Sequence, residues 1–292
     1  MSFLESRHKL FLPSIIGEIK NNLDKIIQEI DTHYNEWVEQ KIDKKNGQFK
    51  TYLDGTVKER VIRPSKIKLK LIQSKIKDRI LIDIELPSNV HGGVKKKSNI
   101  SNAKPHQGKK YVFTTDLKDF YPSIKSKKIH NTFVELGFNK QFAFYITKLT
   151  TWKGELPQGT PTSTHISNII FLETDYKLIK ICEENDITYT RYIDDLTFSS
   201  QKDFQNLIPI FLKIVQESGL KISRRKTNYQ GNQNVTGINI FLNKIDAPEK
   251  IILKAKEEEA NTEKKIKPYV NYLNNIRKTN KKEGSNSSSY KK

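Results

Sequence analysis

Arg191-Tyr192-Ile193-Asp194-Asp195-Leu196-Thr197-Phe198-Ser199 sets two adjacent carboxylates between two apolar, β-prone runs. Ile187–Ile193 and Asp195–Ser200 both read as strands, which puts the acidic pair at the tight turn of a hairpin. An ordinary Asp-rich surface turn has the same local sequence, so the surroundings must decide. Asp116 ends a second apolar strand, KKYVFTTDL at 109–117, and Lys118-Asp119-Phe120-Tyr121 comes directly after it. Three aspartates at neighbouring strand ends suit magnesium, which takes hard oxygen ligands and completes its shell with water and phosphate. Two such ions clamp an in-line phosphoryl displacement, one activating the attacking hydroxyl and the other stabilising the leaving oxygen. Without metal the carboxylates would repel, and one would tend to keep its proton.

Two flanking segments fit the same chemistry. In LPQGTPTSTHISN (156–168), Gln158 and the flexible Gly159 precede a helix, so backbone can approach a sugar or base closely and the helix start favours anions. In KISRRKTNY (221–229), Lys221, Arg224, Arg225 and Lys226 offer cations to a pyrophosphate or a proton to a leaving group. Taken alone, the first is a Pro/Gly turn and the second a charge run.

Further out, apolar spacing predicts one or two amphipathic helices over 14–40, and helices over 126–150, 163–185 and 202–218, the last stopped by Gly219. Short strands are predicted at LKISR and VTGINIF, and VHGGVKKKSNISNAKPHQGKK (90–110) reads as a lysine-rich loop open to backbone phosphates. The stretch 60–79 carries eight Lys or Arg against one Asp, with Ile and Leu interleaved, so one face packs while the other meets phosphates or water. A Lys-rich helical stretch ends the chain, and its tail, EGSNSSSYKK, has the composition of disorder. The alternation of elements is α/β in character, without internal repeats.

Composition narrows the partners. The chain has 292 residues, a formal net charge of +19 and a pI of about 9.6, which favours a polyanion through phosphate neutralisation and counterion release. No stretch has the roughly 18 apolar residues of a spanning helix, and Glu5, Arg7, His8 and Lys9 interrupt any secretory core at the N-terminus. The expected setting is cytoplasmic, without a membrane. Cys182, the single cysteine, forms no internal disulfide or Cys-rich zinc site and reads as a small core residue. There is no Walker loop, no His-Glu-x-x-His and no nucleophile elbow, and His91, His106 and His165 lack ligand spacing.

In this order, TTDLKDFYPSI, LPQGTPTS, RYIDDLTFS, GLKISRRKT and VTGINIF resemble the palm motifs and primer grip of bacterial reverse transcriptases over roughly residues 60–242. Asn102-Ala103-Lys104-Pro105-His106 and Val235-Thr236-Gly237 resemble the Asn-Ala-x-x-His and Val-Thr-Gly signatures of retron enzymes, and related phage-defence reverse transcriptases share parts of the pattern. The resemblance implies an α/β (α+β) right-hand polymerase with fingers, an antiparallel palm sheet with helices, and a small helical thumb. Its parts would be an N-terminal helical region at 1–58, fingers at 59–110, palm at 111–230 with an inserted fingers part at 125–155, primer grip and thumb at 231–283, and a disordered tail at 284–292.

The resemblance also implies residue roles. Asp116 and Asp194 would be the main ligands of two Mg2+ ions, with Mn2+ a possible substitute, and Asp195 the third catalytic carboxylate. Tyr121 would lie under the incoming sugar, Gln158 and Gly159 would line the nucleotide site, and Arg63, Lys66 and Lys226 would meet its triphosphate. Asn102, His106, Val235, Thr236 and Gly237 would recognise RNA. Ile193 departs from the Ala common in bacterial members, which bears on pocket detail rather than on the metal chemistry. The implied partners are a structured non-coding RNA as template and primer, its DNA product, deoxynucleoside triphosphates and an effector protein of an anti-phage system. The segment after Phe241 would be too short for the maturase and endonuclease parts of a mobile-intron enzyme. The alternatives are a defence enzyme with different priming, or a catalytically silent RNA-binding module.

Overall fold

The structure is a computed structural model that describes residues 6–42, 47–51, 54–230, 234–261, 263 and 265–280. The expected tail, 284–292, lies outside the described residues. In chain order the elements are α1 (Leu12–Ile16), α2 (Lys20–Gln28), β1 (Trp37–Gln40), β2 (Glu59–Ile62), α3 (Ile67–Arg79), α4 (Asn99–Ala103), β3 (Tyr111–Lys118), α5 (Phe120–Ser123), α6 (Ser126–Glu135), α7 (Lys140–Thr150) and α8 (Ser163–Ile170). They continue with α9 (Leu172–Glu184), β4 (Thr188–Tyr192), β5 (Asp195–Ser200), α10 (Ile208–Glu217), β6 (Lys221–Ile222), β7 (Asn228–Gln230), β8 (Asn234–Val235), β9 (Ile238–Ile240), β10 (Ile245–Asp246), α11 (Glu249–Ala260) and α12 (Pro268–Lys278). The chain forms two compact units, one from residues 1–86 and 118–173 and the other from 87–117 and 174–292.

The first unit is mainly helical. Leu12 and Ile16 of α1, Leu23 and Ile26 of α2, Leu69, Ile72 and Ile76 of α3, and Phe142, Ile146 and Leu149 of α7 are buried. Each such aliphatic or aromatic side chain contributes about 1.5–3 kcal/mol. The helix expected to run over 126–150 is two helices, because Gly137 takes a φ of +90° and turns the chain between α6 and α7. Trp37–Gln40, inside the stretch expected to be helical, is a strand paired antiparallel with β2. Its Trp37-Val38 pair is β-prone, and cross-strand pairing outweighs the helical periodicity that precedes it.

The second unit is built on a five-stranded sheet with β3 at its centre, β5 and then β4 on one side, and β6 and β7 on the other. The β4–β5 and β3–β5 pairs are antiparallel, in a register that sets Phe113, Phe198 and Tyr189 side by side. Phe211 of α10 stacks on Phe198 at 4.5 Å, closing an aromatic layer on that face. Strand alternation sends Val112, Thr190, Ser199, Asp116 and Asp195 to the other face. There Val112, Ala103, Val235, Ile238, Ile240, Ile245, Leu273 and Ile276 form a second core under β8–β10, α11 and α12. Gly219 ends α10 in the left-handed conformation, as its sequence position predicts. The helix expected over 163–185 breaks at Phe171 into α8 and α9. The expected loop over 90–110 contains α4, opened by a capping box between Ser98 and Ser101. No helix among the described residues is long and apolar enough to cross a membrane.

Candidate active site

The second unit brings the three aspartates together. Tyr192 pairs with Asp195 across the β4–β5 hairpin, which leaves Ile193 and Asp194 as a two-residue loop. Asp116 is the cross-strand partner of Asp195. The backbone N–H of Leu117 donates to the Asp194 carbonyl at 3.0 Å, and that of Ser223 donates to the Asp116 carbonyl at 2.7 Å, so main chain fixes both carboxylate-bearing segments. Ile193 has a φ of +60°. Positive φ at the first loop residue and not the second is the φ sequence of a type II′ turn, which normally takes Gly there. A β-branched residue held this way stores about 1–3 kcal/mol of strain.

Two features hold that strain. Arg191, fully buried in β4, forms a two-pronged ion pair with the buried Asp175 of α9, Nε to Oδ1 at 3.0 Å and Nη2 to Oδ2 at 2.7 Å. Its Nη1 donates to the Ile193 carbonyl at 2.9 Å, and the Tyr189 hydroxyl donates to Asp175 Oδ1 at 2.7 Å. The segment leading to Gly92 runs beside β4, with Arg191 N–H donating to the Asn89 carbonyl and His91 N–H to the Arg191 carbonyl. A Cβ on Gly92 would stand 2.3 Å from the Ile193 nitrogen, so only glycine fits against the turn. Sequence reasoning missed Asp175, Arg191 and Gly92 as supports. The available signal was a charged residue inside an apolar strand, which cannot be buried without a partner.

The electrostatics are those of a crowded acidic site. Burial, then the charge of Asp116, pushes the Asp194 carboxyl up to about 6. Burial, then Asp194 and Asp116, pushes Asp195 up to about 7. Lys226 Nζ reaches Asp116 Oδ2 at 2.5 Å. Burial works against the Lys226 charge, but its bond to Asp116 and the fields of all three aspartates hold its pKa above the ordinary lysine value. Lys226, expected from sequence to meet a triphosphate, thus occupies the acidic cluster itself. Among the described residues no three His, Cys, Asp or Glu side chains form a ready-made metal cage. The donor set nonetheless fits a hard divalent cation, since it is all carboxylate, mutually repelling and short of positive charge, and such ions take much of their shell from water and phosphate.

The other expected nucleotide contacts, Tyr121, Gln158, Gly159, Arg63 and Lys66, belong to the first unit. The Tyr121 hydroxyl lies 3.1 Å from Thr164 Oγ1. The Gln158 carbonyl accepts the Arg63 N–H at 2.8 Å, and Gly159 takes a φ of +107° against Ile62 and Pro64. The Arg63 guanidinium is committed elsewhere, donating to Glu36 and to Glu155 and lying over Trp152. An approach to a triphosphate would require it to leave two carboxylates. Lys66 is exposed at the start of α3.

The five residues expected to recognise RNA divide. Asn102, His106 and Val235 have no exposed surface, so direct recognition by these side chains is corrected to a supporting role. His106 lies within hydrogen-bond distance of Ser199 and Thr190, at 2.6 and 2.7 Å, and Asn102 donates to Thr236 Oγ1 at 3.3 Å. The two signature segments therefore pin the five-stranded sheet and the β8–β9 turn to one another. Of the five, Thr236 and Gly237 keep surface on that turn.

Residues 42–240 match the family described as Reverse transcriptase (RNA-dependent DNA polymerase). The chain belongs to this family. Its relatives include the retron Se72 reverse transcriptase of Salmonella heidelberg, 31% identical over 76% of this chain and 57% of that protein. The retron Ec86 reverse transcriptase of Escherichia coli is 33% identical over 63% of this chain and 59% of that protein. The retron Mx65 reverse transcriptase of Myxococcus xanthus is 29% identical over 62% and 48%. The chain thus spans about half to three fifths of the length of these relatives. The family and the retron resemblance read from the motifs agree with these matches, as does the mixed helical and antiparallel polymerase fold expected of a reverse transcriptase.

Proposed function

We propose that this reverse transcriptase family member is an RNA-directed DNA polymerase of the retron kind, copying a structured non-coding RNA that also supplies the primer. The observation that carries the reading is Asp116 and Asp195 as cross-strand partners with Asp194 in the adjoining turn. Asp116 and Asp194 would hold two Mg2+ ions, with Mn2+ able to replace them, and Asp195 would be the third carboxylate. When bound, such ions lower the pKa of the attacking hydroxyl and stabilise the leaving oxygen. Lys226 would move from Asp116 toward the pyrophosphate as substrate arrives. Tyr121, Gln158, Gly159 and Lys66 would frame the nucleotide, with fingers at 59–110, palm at 111–230, and primer grip and thumb at 231–283. The product would be branched multicopy single-stranded DNA, made in the cytoplasm for an anti-phage system with a separate effector. The net charge of +19 supports a polyanionic partner.

The test is to purify the protein from cells expressing its RNA, sequence the nucleic acid that accompanies it, and assay deoxynucleotide incorporation. A covalently branched RNA–DNA molecule is expected. Unbranched or untemplated repetitive DNA would replace the retron reading with another defence enzyme. Bound RNA without incorporation in Mg2+ or Mn2+ would leave an RNA-binding module.

A further inference from the structure

Within the first unit, α6 and α7 border a groove of about 290 Å3. Its lining includes Lys127, His130, Lys148 and Lys153 and no Asp or Glu. Phe144, 43% exposed, turns its ring into this basic setting, with Lys148 Nζ 5.9 Å from the ring centre. Lys153 Nζ lies 4.4 Å from the centre of the Trp152 ring, and its other contact is Glu36 at 3.1 Å. The groove opens at the first turn of α6, which has no side-chain cap and no acidic residue, so its amide end adds positive potential.

Each feature selects part of a ligand. Lysines and a helix start select an anion, and an exposed ring beside them selects a flat π-face. The volume sits at the lower end of ligand sites, about 300–1,000 Å3, which admits one nucleotide unit and not a duplex. A free inorganic anion would gain nothing from Phe144. Single-stranded nucleic acid uses a basic groove for its backbone and aromatic side chains for its bases.

We infer that this groove holds one nucleotide of a single-stranded nucleic acid, its phosphate at Lys127 and Lys148 and its base on Phe144. The inference rests on the polymerase reading for the identity of the strand, and it adds a holding site carried entirely by the first unit.

The test uses the full chain and a fluorescent single-stranded oligouridylate of about 12 nucleotides, within the span of known single-strand sites. Anisotropy is followed across a salt series for wild type, Lys127→Gln/Lys148→Gln, Phe144→Ala and Phe144→Trp. With the contact to that one phosphate removed, the slope of log affinity on log salt is expected to fall by about 0.7 for the double variant. Phe144→Ala is expected to weaken binding about tenfold, and Phe144→Trp to restore it. All four side-chain changes lie at exposed positions, and circular dichroism checks that the fold persists. An unchanged slope and affinity would overturn the inference, as would inorganic phosphate displacing the oligonucleotide equally well at matched ionic strength. Extension of a short primed RNA template is measured in parallel. Loss of wild-type extension would count against the polymerase reading, while loss of the slope difference alone counts against the groove.

Discussion

Two carboxylate sites in the second unit receive opposite treatment. Asp175 is fully buried, and Arg191 and Tyr189 donate hydrogen bonds to both of its carboxylate oxygens. Asp194 and Asp195, at the end of the same hairpin, stand beside Asp116 with, among the described residues, Lys226 as the cation that meets them. The first arrangement spends its charge on holding a strained turn. The second leaves charge unsatisfied, at a cost in stability, where a cation and phosphates would complete it. A structural carboxylate is thus recognised by full compensation, and the carboxylates proposed here as catalytic by their shortage of it.

Substitutions can break this contrast. The largest expected effect on stability is Asp175→Ala, which leaves Arg191 buried and unpaired and should cost about 3–5 kcal/mol in denaturant unfolding. The corresponding Asp195→Asn should cost nothing without metal, because it removes repulsion. Next is Gly92→Ala, whose new Cβ meets the backbone of Ile193. It should destabilise by about 1–3 kcal/mol and lower kcat more than KM for nucleotide, since the turn that carries Asp194 must shift.

A pH series sharpens the comparison further. In the folded chain Asp194 and Asp195 keep protons up to about 6 and about 7, whereas the unfolded chain loses them near 3.8. The folded state therefore binds more protons across that window, and metal-free stability contributed by these groups falls as pH rises from about 4 to 7. His106 acts in the opposite sense. Burial, then the charges of His91 and Lys109, depresses it to about 3, so its contribution is lost as pH falls below 6.5. Subtracting the Asp195→Asn unfolding curve from that of wild type should isolate the falling limb, and divalent metal should flatten it. A difference curve that rises with pH would contradict the assignment. The smallest effect is Ile193→Gly, which relieves the left-handed backbone but adds unfolded-state entropy, for a net gain of about 1 kcal/mol or less by thermal unfolding.

The hairpin, the central strand and the Gly219 stop were legible because each is written locally, in alternation, in a turn between apolar runs, or in one residue's conformational freedom. The supports of the turn were not. Asp175 sits in LETDYKLIK, where it looks like any charge on a helix surface, and only the fold brings it to Arg191. Asn102 and His106 were legible as a signature but not as buried residues, since their partners Ser199, Thr190 and Thr236 are distant in sequence. Arg63 looked available for phosphate in a basic stretch, and Glu36 and Glu155, which engage it, come from elsewhere in the chain.

The central claim is that the uncompensated aspartates exist for RNA-templated DNA synthesis. Asp194→Asn, compared with wild type in single-turnover incorporation of a deoxynucleotide on an RNA template, tests it most directly, with RNA affinity and unfolding measured on the same preparations. Loss of a partner that only orients a metal ligand costs about 10–100-fold, so replacing a ligand should exceed the upper figure while RNA binding and stability persist. Incorporation within a few-fold of wild type, in a variant that folds and binds RNA normally, would contradict the account.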